Sequence, residues 1–255
     1  MRLEPRSILA PNASPMTMQG TITYLVGRSA VAIIDPGTAA PSHVAAVAAA
    51  VADAAAVSIL VTHDHPDHST GAADLAGRIG AAVLSISAGT LRDGTRVETD
   101  QGELVTLATP GHAPDHAAFH WPAAEAIFCG DLMMGGLDTA VVAAPEGSIG
   151  AYLASLEKLR QLRPRTIYPS HGPAFTDPEQ AIERYVAHRE SREAQVLEAL
   201  RSGLRTPDAI TDHVYGDSID PRLHGFAISA IEAYLQHLLE TGRLPDGADP
   251  RRTGA

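Results

Sequence analysis

The sequence predicts an α/β protein in which β-sheets are covered by helices on their outer faces, followed by a small helical domain. Short β-branched runs alternate with helical patterns through residues 1–178. Residues 179–255 contain mainly helical patterns. Histidines and aspartates follow several predicted strands, and the ends of strands are where sites assemble in α/β proteins. The predicted domains are therefore residues 1–178, which carry the site, and residues 179–255.

The first elements are predicted to be a hairpin, a helix and a buried strand. Thr21–Val26 and Ala30–Asp35 have strand patterns and are joined by the turn sequence Gly27-Arg28-Ser29. Pro41–Ala54 is rich in alanine and valine at helical spacing. Val57–Val61 is a β-branched run of the kind that lies buried in a sheet. These runs predict the first sheet and one covering helix.

A second series of alternating elements continues to residue 168. Ser69-Thr70 can cap a helix that ends at Ile79, because Gly80 is a typical stop signal. Ala81–Ile86 follows as a predicted strand. Four strands, a helix and a last short strand are then predicted at Arg96–Thr99, Glu103–Thr109, His116–His120, Ala126–Cys129, Ala151–Leu162 and Thr166–Tyr168.

The C-terminal block predicts three helices and a short strand, which is the outline of a winged-helix-like domain. The predicted helices are Pro178–Arg201, Thr206–Val214 and Pro221–Leu239, and the predicted strand is Gly242–Leu244. The polar segment Pro245–Ala255 is expected to be frayed.

Composition excludes several classes of protein. Cys129 is the only cysteine, so neither an internal disulfide nor a thiolate metal cluster can form. The chain lacks an apolar run long enough for a membrane helix, and its N-terminus lacks the apolar region of a secretory signal, so we expect a cytoplasmic protein without membrane contact. A formal net charge of −11 disfavours a nucleic-acid partner.

One loop concentrates metal-binding side chains. Three histidines and two carboxylates lie within the six residues His63–His68, directly after a predicted buried strand. Imidazole and carboxylate are ligands that suit zinc and similar divalent ions. Three further candidates, His112, Asp131 and His171, each follow a later predicted strand. The sequence therefore predicts a metal site at one edge of the sheets.

These residues resemble the pattern of the metallo-β-lactamase superfamily. Its His-x-His-x-Asp-His motif, then a distant histidine, an aspartate and a last histidine, occurs here in order as His63, His65, Asp67 and His68, followed by His112, Asp131 and His171. The flanking sequences also fit, and the resemblance covers about residues 8–176: Ile34-Asp35-Pro36-Gly37, Thr109-Pro110-Gly111-His112, Gly130-Asp131 and Ser170-His171-Gly172. The resemblance implies an αββα sandwich with a two-metal site.

The resemblance also implies a role for each ligand. His63, His65 and His112 would hold the first metal, Asp67, His68 and His171 the second, and Asp131 would bridge both. Zinc is expected, with iron or manganese as alternatives, because all three accept imidazole and carboxylate. Two such ions lower the pKa of a shared water, and the resulting hydroxide attacks the substrate. Asp67 is the predicted catalytic residue that orients this nucleophile.

Three further residues are candidates for supporting roles. Asp35 is expected to accept a hydrogen bond from a ligating histidine. His116 either protonates a leaving group or packs behind His112. Tyr24 is a candidate for substrate contact at the pocket mouth.

The C-terminal block resembles the branch of the superfamily related to β-lactamase-like protein 2. The first hypothesis is a hydrolase of a small-molecule ester, thioester or lactone; the alternatives are a single-strand-specific endoribonuclease and a mononuclear iron oxygenase of the same fold. A nucleic-acid-reading helix needs Arg and Lys, yet Arg222 is the only permanent cation in Pro221–Leu239. We therefore expect this domain to form a pocket wall or a dimer surface. In the second case the protein would be a homodimer.

Overall fold

The computed structural model describes residues 3–216 and 219–245, and in these ranges it contains two five-stranded sheets and seven α-helices. The strands, numbered β1 to β10, are Arg6–Leu9, Ile22–Val26, Ala30–Ile34, Ala56–Leu60, Ala82–Leu84, Arg96–Val97, Leu104–Ala108, Ala117–Trp121, Ala126–Gly130 and Thr166–Pro169. The helices, numbered α1 to α7, are Pro41–Ala50, Pro66–Ser69, Ala72–Ile79, Ile149–Gln161, Pro178–Arg201, Pro207–Tyr215 and His224–Glu240.

The two sheets are mixed, and each follows a simple strand order. The first has the order β1-β2-β3-β4-β5, with antiparallel pairs up to β3 and parallel pairs from β3 to β5. The second has the order β10-β9-β8-β7-β6, with β10 parallel to β9 and the other pairs antiparallel. Strands β7, β9 and β10 therefore run in one direction, and β3 and β4 share a direction in the first sheet.

Alternate side chains of the central strands point into different cores. In β3, Ala32 and Ile34 belong to the core between the sheets, whereas Val31 and Ile33 pack on the side of α1 and α3. In β9, Phe128 faces the inner core and its neighbours face the layer that contains α4. Because both faces of these strands are buried, their sequences are continuously apolar. Two sheets between two helical layers confirm the predicted αββα sandwich.

The C-terminal helices share a core with the second sheet. Tyr185 on α5 and Leu238 on α7 are fully buried in the cluster that also holds Ile127 and Leu156 of the sheet and its covering helix. Buried Glu193 on α5 pairs with Arg243 and lies 3.4 Å from Nε2 of His237. The helical region is thus packed against the sandwich, and the division into domains at residue 178 stays a prediction.

Most predicted elements form within a few residues of their expected ends, with three differences. The short helix Pro66–Ser69 forms inside the expected His/Asp loop and was not predicted. The edge strand Arg6–Leu9 was not predicted, because its half-exposed residues give a weak apolar pattern. The expected strand at 242–244 does not form: α7 ends at Glu240 and a turn follows it. The C-terminal region is therefore helical without the β-wing, and residues 246–255 of the expected frayed segment lie outside the described residues.

Helix termini are fixed by the expected local chemistry. Ser148, Asp177 and Thr206 accept a hydrogen bond from the first turn of α4, α5 and α6, respectively. Gly80 ends α3 in the left-handed conformation, at φ 69°. In the described part of the chain, no helix is both long and apolar enough to cross a membrane.

Candidate metal centre

Seven histidine and aspartate side chains converge where the strands of both sheets end. Four of them follow β4: His63 and His65 lie in the loop, and Asp67 and His68 lie on the short helix α2. The loops after β7, β9 and β10 carry the remaining three: His112, Asp131 and His171. The side chains form two groups, and in each group the ligand atoms lie within 4.8 Å of one another. One group is His63, His65 and His112; the other is Asp67, His68, Asp131 and His171. The structure thus brings together all seven residues that the sequence pattern selected.

The first group contains three imidazoles. Nδ1 of His65 lies 3.0 Å from Nε2 of His112, and the ring centroids of His63 and His65 are 4.4 Å apart. Nε2 of His63 is buried and has no hydrogen-bond partner among the described residues. A buried nitrogen left in this state costs about 1–3 kcal/mol, unless it binds a ligand. Its lone pair therefore suits a cation.

The second group combines two imidazoles with two carboxylates. Nε2 of His171 lies 3.1 Å from Oδ2 of Asp67 and 3.4 Å from Oδ1 of Asp131. Nε2 of His68 lies 3.2 Å from Oδ2 of Asp67. Both histidine Nε2 atoms and Oδ1 of Asp131 are buried without a hydrogen-bond partner in the described part of the chain. Two carboxylates and two imidazoles form a donor set that fits a divalent cation.

Asp131 lies between the two groups. Its Oδ2 atom is 3.8 Å from Nε2 of His112 in the first group and 3.5 Å from Nε2 of His68 in the second. Gly130, the residue before Asp131, has a left-handed backbone conformation with φ 53°. A Cβ atom at position 130 would lie 2.5 Å from Nε2 of His116. Glycine is needed here both for the backbone angle and for the close approach of the imidazole.

Each of the five histidines has an oxygen beside the nitrogen that faces away from the cluster. Nδ1 of His112 donates to the carbonyl of Val141 at 2.7 Å, and Nδ1 of His171 lies 3.2 Å from the carbonyl oxygen of Gly20. Nε2 of His65 lies 3.1 Å from the exposed carboxylate of Glu146. Such partners fix the ring orientation of a metal-binding histidine and the nitrogen that faces the ion.

Asp35 anchors the two remaining histidines. This fully buried carboxylate accepts a hydrogen bond from Nδ1 of His68 at 2.8 Å, from Oγ of Ser170 at 2.8 Å and from both the backbone N–H and the hydroxyl of Thr62. The Thr62 hydroxyl lies 3.0 Å from Nδ1 of His63. Asp35 therefore supports both groups, in agreement with the supporting role expected from the sequence.

The electrostatics of the cluster depend on the balance of burial and pairing. Burial lowers the pKa of His63 well below its ordinary value, and nearby His68 and His116 lower it further. Burial also disfavours charge on His68 and His171, but the adjacent carboxylates outweigh it: they raise the pKa of His68 well above its ordinary value and that of His171 to about 9. Burial opposes ionisation of Asp131, yet its histidine partners hold its pKa well below the ordinary value.

These shifts predict that Zn²⁺ binding at pH 7 releases protons from His68 and His171. The neighbouring carboxylates favour the protonated form of both imidazoles, whereas a metal-binding imidazole must be neutral. Because the pKa of His171 is raised to about 9, metal affinity should increase as the pH rises towards that value. Titration calorimetry in two buffers of different ionisation enthalpy measures the release; identical heats in both would contradict it.

The raised pKa of His171 also affects the stability of the metal-free protein. Its contribution to the free energy of unfolding is fully present below the ordinary histidine pKa of about 6.5, and it is lost as the pH rises through the folded-state pKa of about 9.

His116 and Tyr24, two residues expected from the sequence to support the site, are both buried. Nε2 of His116 accepts the Asp131 backbone N–H at 3.2 Å, and its Nδ1 lies 2.9 Å from the Thr109 hydroxyl. His116 is fully buried, and burial together with nearby His112 lowers its pKa to about 3, so it packs behind the ligands as a neutral imidazole. Tyr24 lies in the inner core and donates to the Pro169 carbonyl at 2.8 Å. The expected contact of Tyr24 with the substrate is therefore wrong, because Phe128 of β9 and Tyr168 of β10 pack against its ring and bury it.

Sequence reasoning missed three side chains of the site. Thr62 and Ser170 each precede a ligating histidine, and this adjacency was the only signal for them. Glu146 is far from the motifs in sequence and reaches His65 only because its loop folds across the edge of the sheets. Each belongs to the hydrogen-bonded surroundings of the seven converging side chains.

A cavity of about 260 Å³ adjoins this edge. It lies between the loop at 134–142 and helices α5, α6 and α7. Val141 lines the cavity, and the same residue's carbonyl accepts the hydrogen bond from His112. The C-terminal helices thus form one wall of this cavity, and none of the seven converging side chains is among the described residues that line it. The choice between a pocket wall and a dimer surface stays a prediction.

Two sheets between helical layers, with histidine and aspartate side chains placed for a metal site at one edge, define a metal-binding αββα protein. The family model described as "Metallo-beta-lactamase superfamily" matches residues 16–94 and 87–171. Beta-lactamase-like protein 2 homolog of Caenorhabditis elegans is 30% identical over 230 residues, which cover 83% of this chain and 76% of that protein. The chain belongs to the metallo-β-lactamase superfamily, and it is a hydrolase of that superfamily.

Two further comparisons extend the similarity to the C-terminal region. Atrochrysone carboxyl ACP thioesterase of Aspergillus chevalieri is 32% identical over 255 residues, covering 93% of this chain and 81% of the relative. The crystal structure of a metallo-beta-lactamase family protein from Thermus thermophilus superposes with a TM-score of 0.78 at 24% identity and covers 96% of both chains. The helical region is therefore part of the shared fold.

Proposed function

We propose that this chain is a two-metal hydrolase of small-molecule esters, thioesters or lactones. The observation that carries the proposal is the pair of side-chain groups, in which the Nε2 atoms of His63, His68 and His171 are buried without a hydrogen-bond partner among the described residues. In this assignment the first group would hold one metal and the second group would hold the other, with Asp131 placed to contribute to both. Zinc is the expected metal, and iron and manganese suit the same ligands.

The bound metals would supply a water of lowered pKa and an electrophile for the substrate oxygen. The protein side chains then divide the remaining work. Asp67 has the most accessible side chain of its group, with 27% exposure against 13% for Asp131. Asp67 is therefore the carboxylate that can reach both the cluster and an arriving water, and it orients that water by accepting its hydrogen bond. His116 holds the Asp131 backbone, which keeps the shared carboxylate between the two groups.

The cavity and the relatives support a small organic substrate. A concave, mainly apolar pocket lies against the loop that supports His112, as expected for a small-molecule site. A similar protein carries the name of a thioesterase that acts on an acyl carrier protein, so a thioester is the first substrate to test. A net charge of −11 argues against long nucleic-acid contacts.

The test is a substrate panel with metal analysis of the same preparation. The protein is purified without chelator, its zinc, iron and manganese are measured, and thioesters, lactones and single-stranded RNA are assayed. We expect about two metal ions per chain and metal-dependent thioester hydrolysis. Asp67→Asn should lower kcat by about 10²-fold or more. Asp64→Asn is the matched control, since Asp64 lies in the same loop but is directed to Ser87.

Other outcomes identify the alternatives. Metal-dependent cleavage of RNA alone would replace the proposal with an endoribonuclease. One iron per chain together with oxygen consumption would replace it with an oxygenase. Full activity in Asp67→Asn would overturn the role given to that carboxylate.

A further inference from the structure

The wall of the cavity contains a buried cation without an anionic partner. Arg189 on α5 is only 4% exposed and forms no ion pair within residues 3–216 and 219–245. Its Nη2 donates to the carbonyl of Ala140, and its guanidinium lies 4.8 Å from the centroid of the Tyr152 ring. Tyr152 and Tyr234 favour the charged form and raise the pKa of Arg189, but its Nε has no hydrogen-bond partner among those residues. Burying an unpaired charge is costly, so an anion from outside the chain would stabilise this arrangement.

A second guanidinium reinforces the positive charge. Arg192, one helical turn further along α5, also lines the cavity and lies 4.1 Å above the centroid of the Tyr215 ring. His188 lines it too, and burial together with the two arginines lowers the pKa of His188 to about 4, so at neutral pH the arginines supply the charge. No aspartate or glutamate occurs among the described lining residues, although the chain as a whole carries a net charge of −11.

The rest of the lining is apolar. Met134, Val142 and Ala227 contribute to the walls, and the half-exposed side chains of Leu137 and Phe226 lie at the cavity surface. The ligand that matches this surface has an apolar body and one anionic end. A carboxylate fits the planar donors of a guanidinium, whereas a phosphate would bring three strong acceptors to a wall with few other polar groups.

We propose that this cavity is a carboxylate-binding subsite, in which Arg189 and Arg192 bind the far end of an apolar acyl group. This inference rests on the proposed hydrolase function. It names the substrate class as esters or thioesters whose acyl chain ends in a carboxylate. The location fits, since Ala140 binds Arg189 and the next residue, Val141, binds His112. One loop therefore contacts both the anion subsite and the metal-binding side chains.

Direct binding tests the subsite without relying on catalysis. Octanoate, octanol and octyl phosphate are titrated into the metal-loaded, full-length protein by calorimetry. We expect octanoate to bind about 10-fold more tightly than octanol, which corresponds to about 1.4 kcal/mol. Arg192→Gln should reduce this difference, because Arg189 still lines the cavity, and Arg192→Lys should retain more of it. Tighter binding of octyl phosphate than of octanoate would overturn the choice of carboxylate.

The matched control is Arg201→Gln. Arg201 is an exposed arginine of the same helix, about 18 Å from Arg189 at 1.5 Å per residue, and it does not line the cavity. It should leave octanoate affinity unchanged. Octanoate affinity that is equal in Arg192→Gln and in the unmodified protein would place the carboxylate at the metals instead and would overturn the proposal. Arg189→Gln is a second variant, with thermal unfolding recorded to confirm that it folds.

A substrate pair connects the subsite to the reaction. The octanoyl thioester of N-acetylcysteamine is compared with the same thioester carrying a carboxylate at the end of the acyl chain. We expect kcat/KM to favour the carboxylate substrate by about 10-fold, with the preference reduced in Arg192→Gln. Hydrolysis of both thioesters without this preference would refute the subsite alone. Hydrolysis of neither would refute the proposed function, while the calorimetry would still decide whether the cavity binds carboxylates.

Discussion

Replacing Asp131 with alanine should abolish most of the hydrolytic activity and lower the metal content of the protein. Its carboxylate lies between both groups of ligands, at 3.8 Å from His112 and 3.5 Å from His68. Without it, two cations would repel each other with no shared anion between them. We expect kcat to fall by about 10³-fold or more, since metal ions contribute several kcal/mol to transition-state stabilisation and each 1.36 kcal/mol is tenfold.

Metal analysis separates this effect from simple misfolding. Asp131→Ala should retain close to one metal ion per chain, while circular dichroism shows an intact fold. Asp53→Ala is the control, because Asp53 is an exposed carboxylate in the turn after α1 and precedes strand β4, whereas the first ligands follow the other end of that strand. Two bound metals and full activity in Asp131→Ala would contradict the bridging role.

Replacing Asp35 with asparagine should destabilise the protein and weaken its metal binding together. Asp35 accepts hydrogen bonds from His68, Ser170 and two groups of Thr62 while fully buried. An amide cannot accept at both ends, so at least one buried donor loses its partner and the charge opposite His68 disappears. We expect a loss of about 3 kcal/mol in the free energy of unfolding and a 10–100-fold loss of metal affinity.

Asparagine is the right replacement because Asp35 has a positive φ of 49°, which asparagine tolerates better than most residues. Urea denaturation of the metal-free protein measures the stability, and competition with a chelating dye measures the affinity. Ser170→Ala removes one donor to the same carboxylate and should cost about 1 kcal/mol. Equal stability of Asp35→Asn and the unmodified protein would show that the carboxylate is not the anchor described above.

Local patterns account for the parts of the fold that could be predicted. The strands β3 and β9 are continuously apolar because both of their faces are buried, so their runs stand out in the sequence. The edge strand Arg6–Leu9 has exposed residues and gives no such signal. At the other end of the chain, a β-like sequence at 242–244 remains a turn, since no strand of either sheet pairs with it in the described structure. Strand formation depends on a partner, and sequence pattern does not supply one.

Sequence pattern also could not predict the contacts of the supporting residues of the site. His116 and Tyr24 were both candidates for substrate contact, because both have side chains that can form a hydrogen bond with a substrate. Their actual partners, the Asp131 backbone and the Pro169 carbonyl, come from other strands. Which atoms a histidine or tyrosine faces is decided by packing between elements that are distant in sequence, so residue type alone could not distinguish the two roles.

The sequence by itself determined the ligand types, their order and their placement after strands, because the spacing of His63–His68 confines four candidate ligands to one turn. The tertiary structure alone decided which atoms face one another across the two sheets, including the oxygen that Glu146 offers to His65. It also placed Arg189 in a cavity wall without a carboxylate among the described residues. The reason is physical: covalent spacing fixes local groups, whereas burial and charge pairing depend on contacts that exist only after the layers have packed.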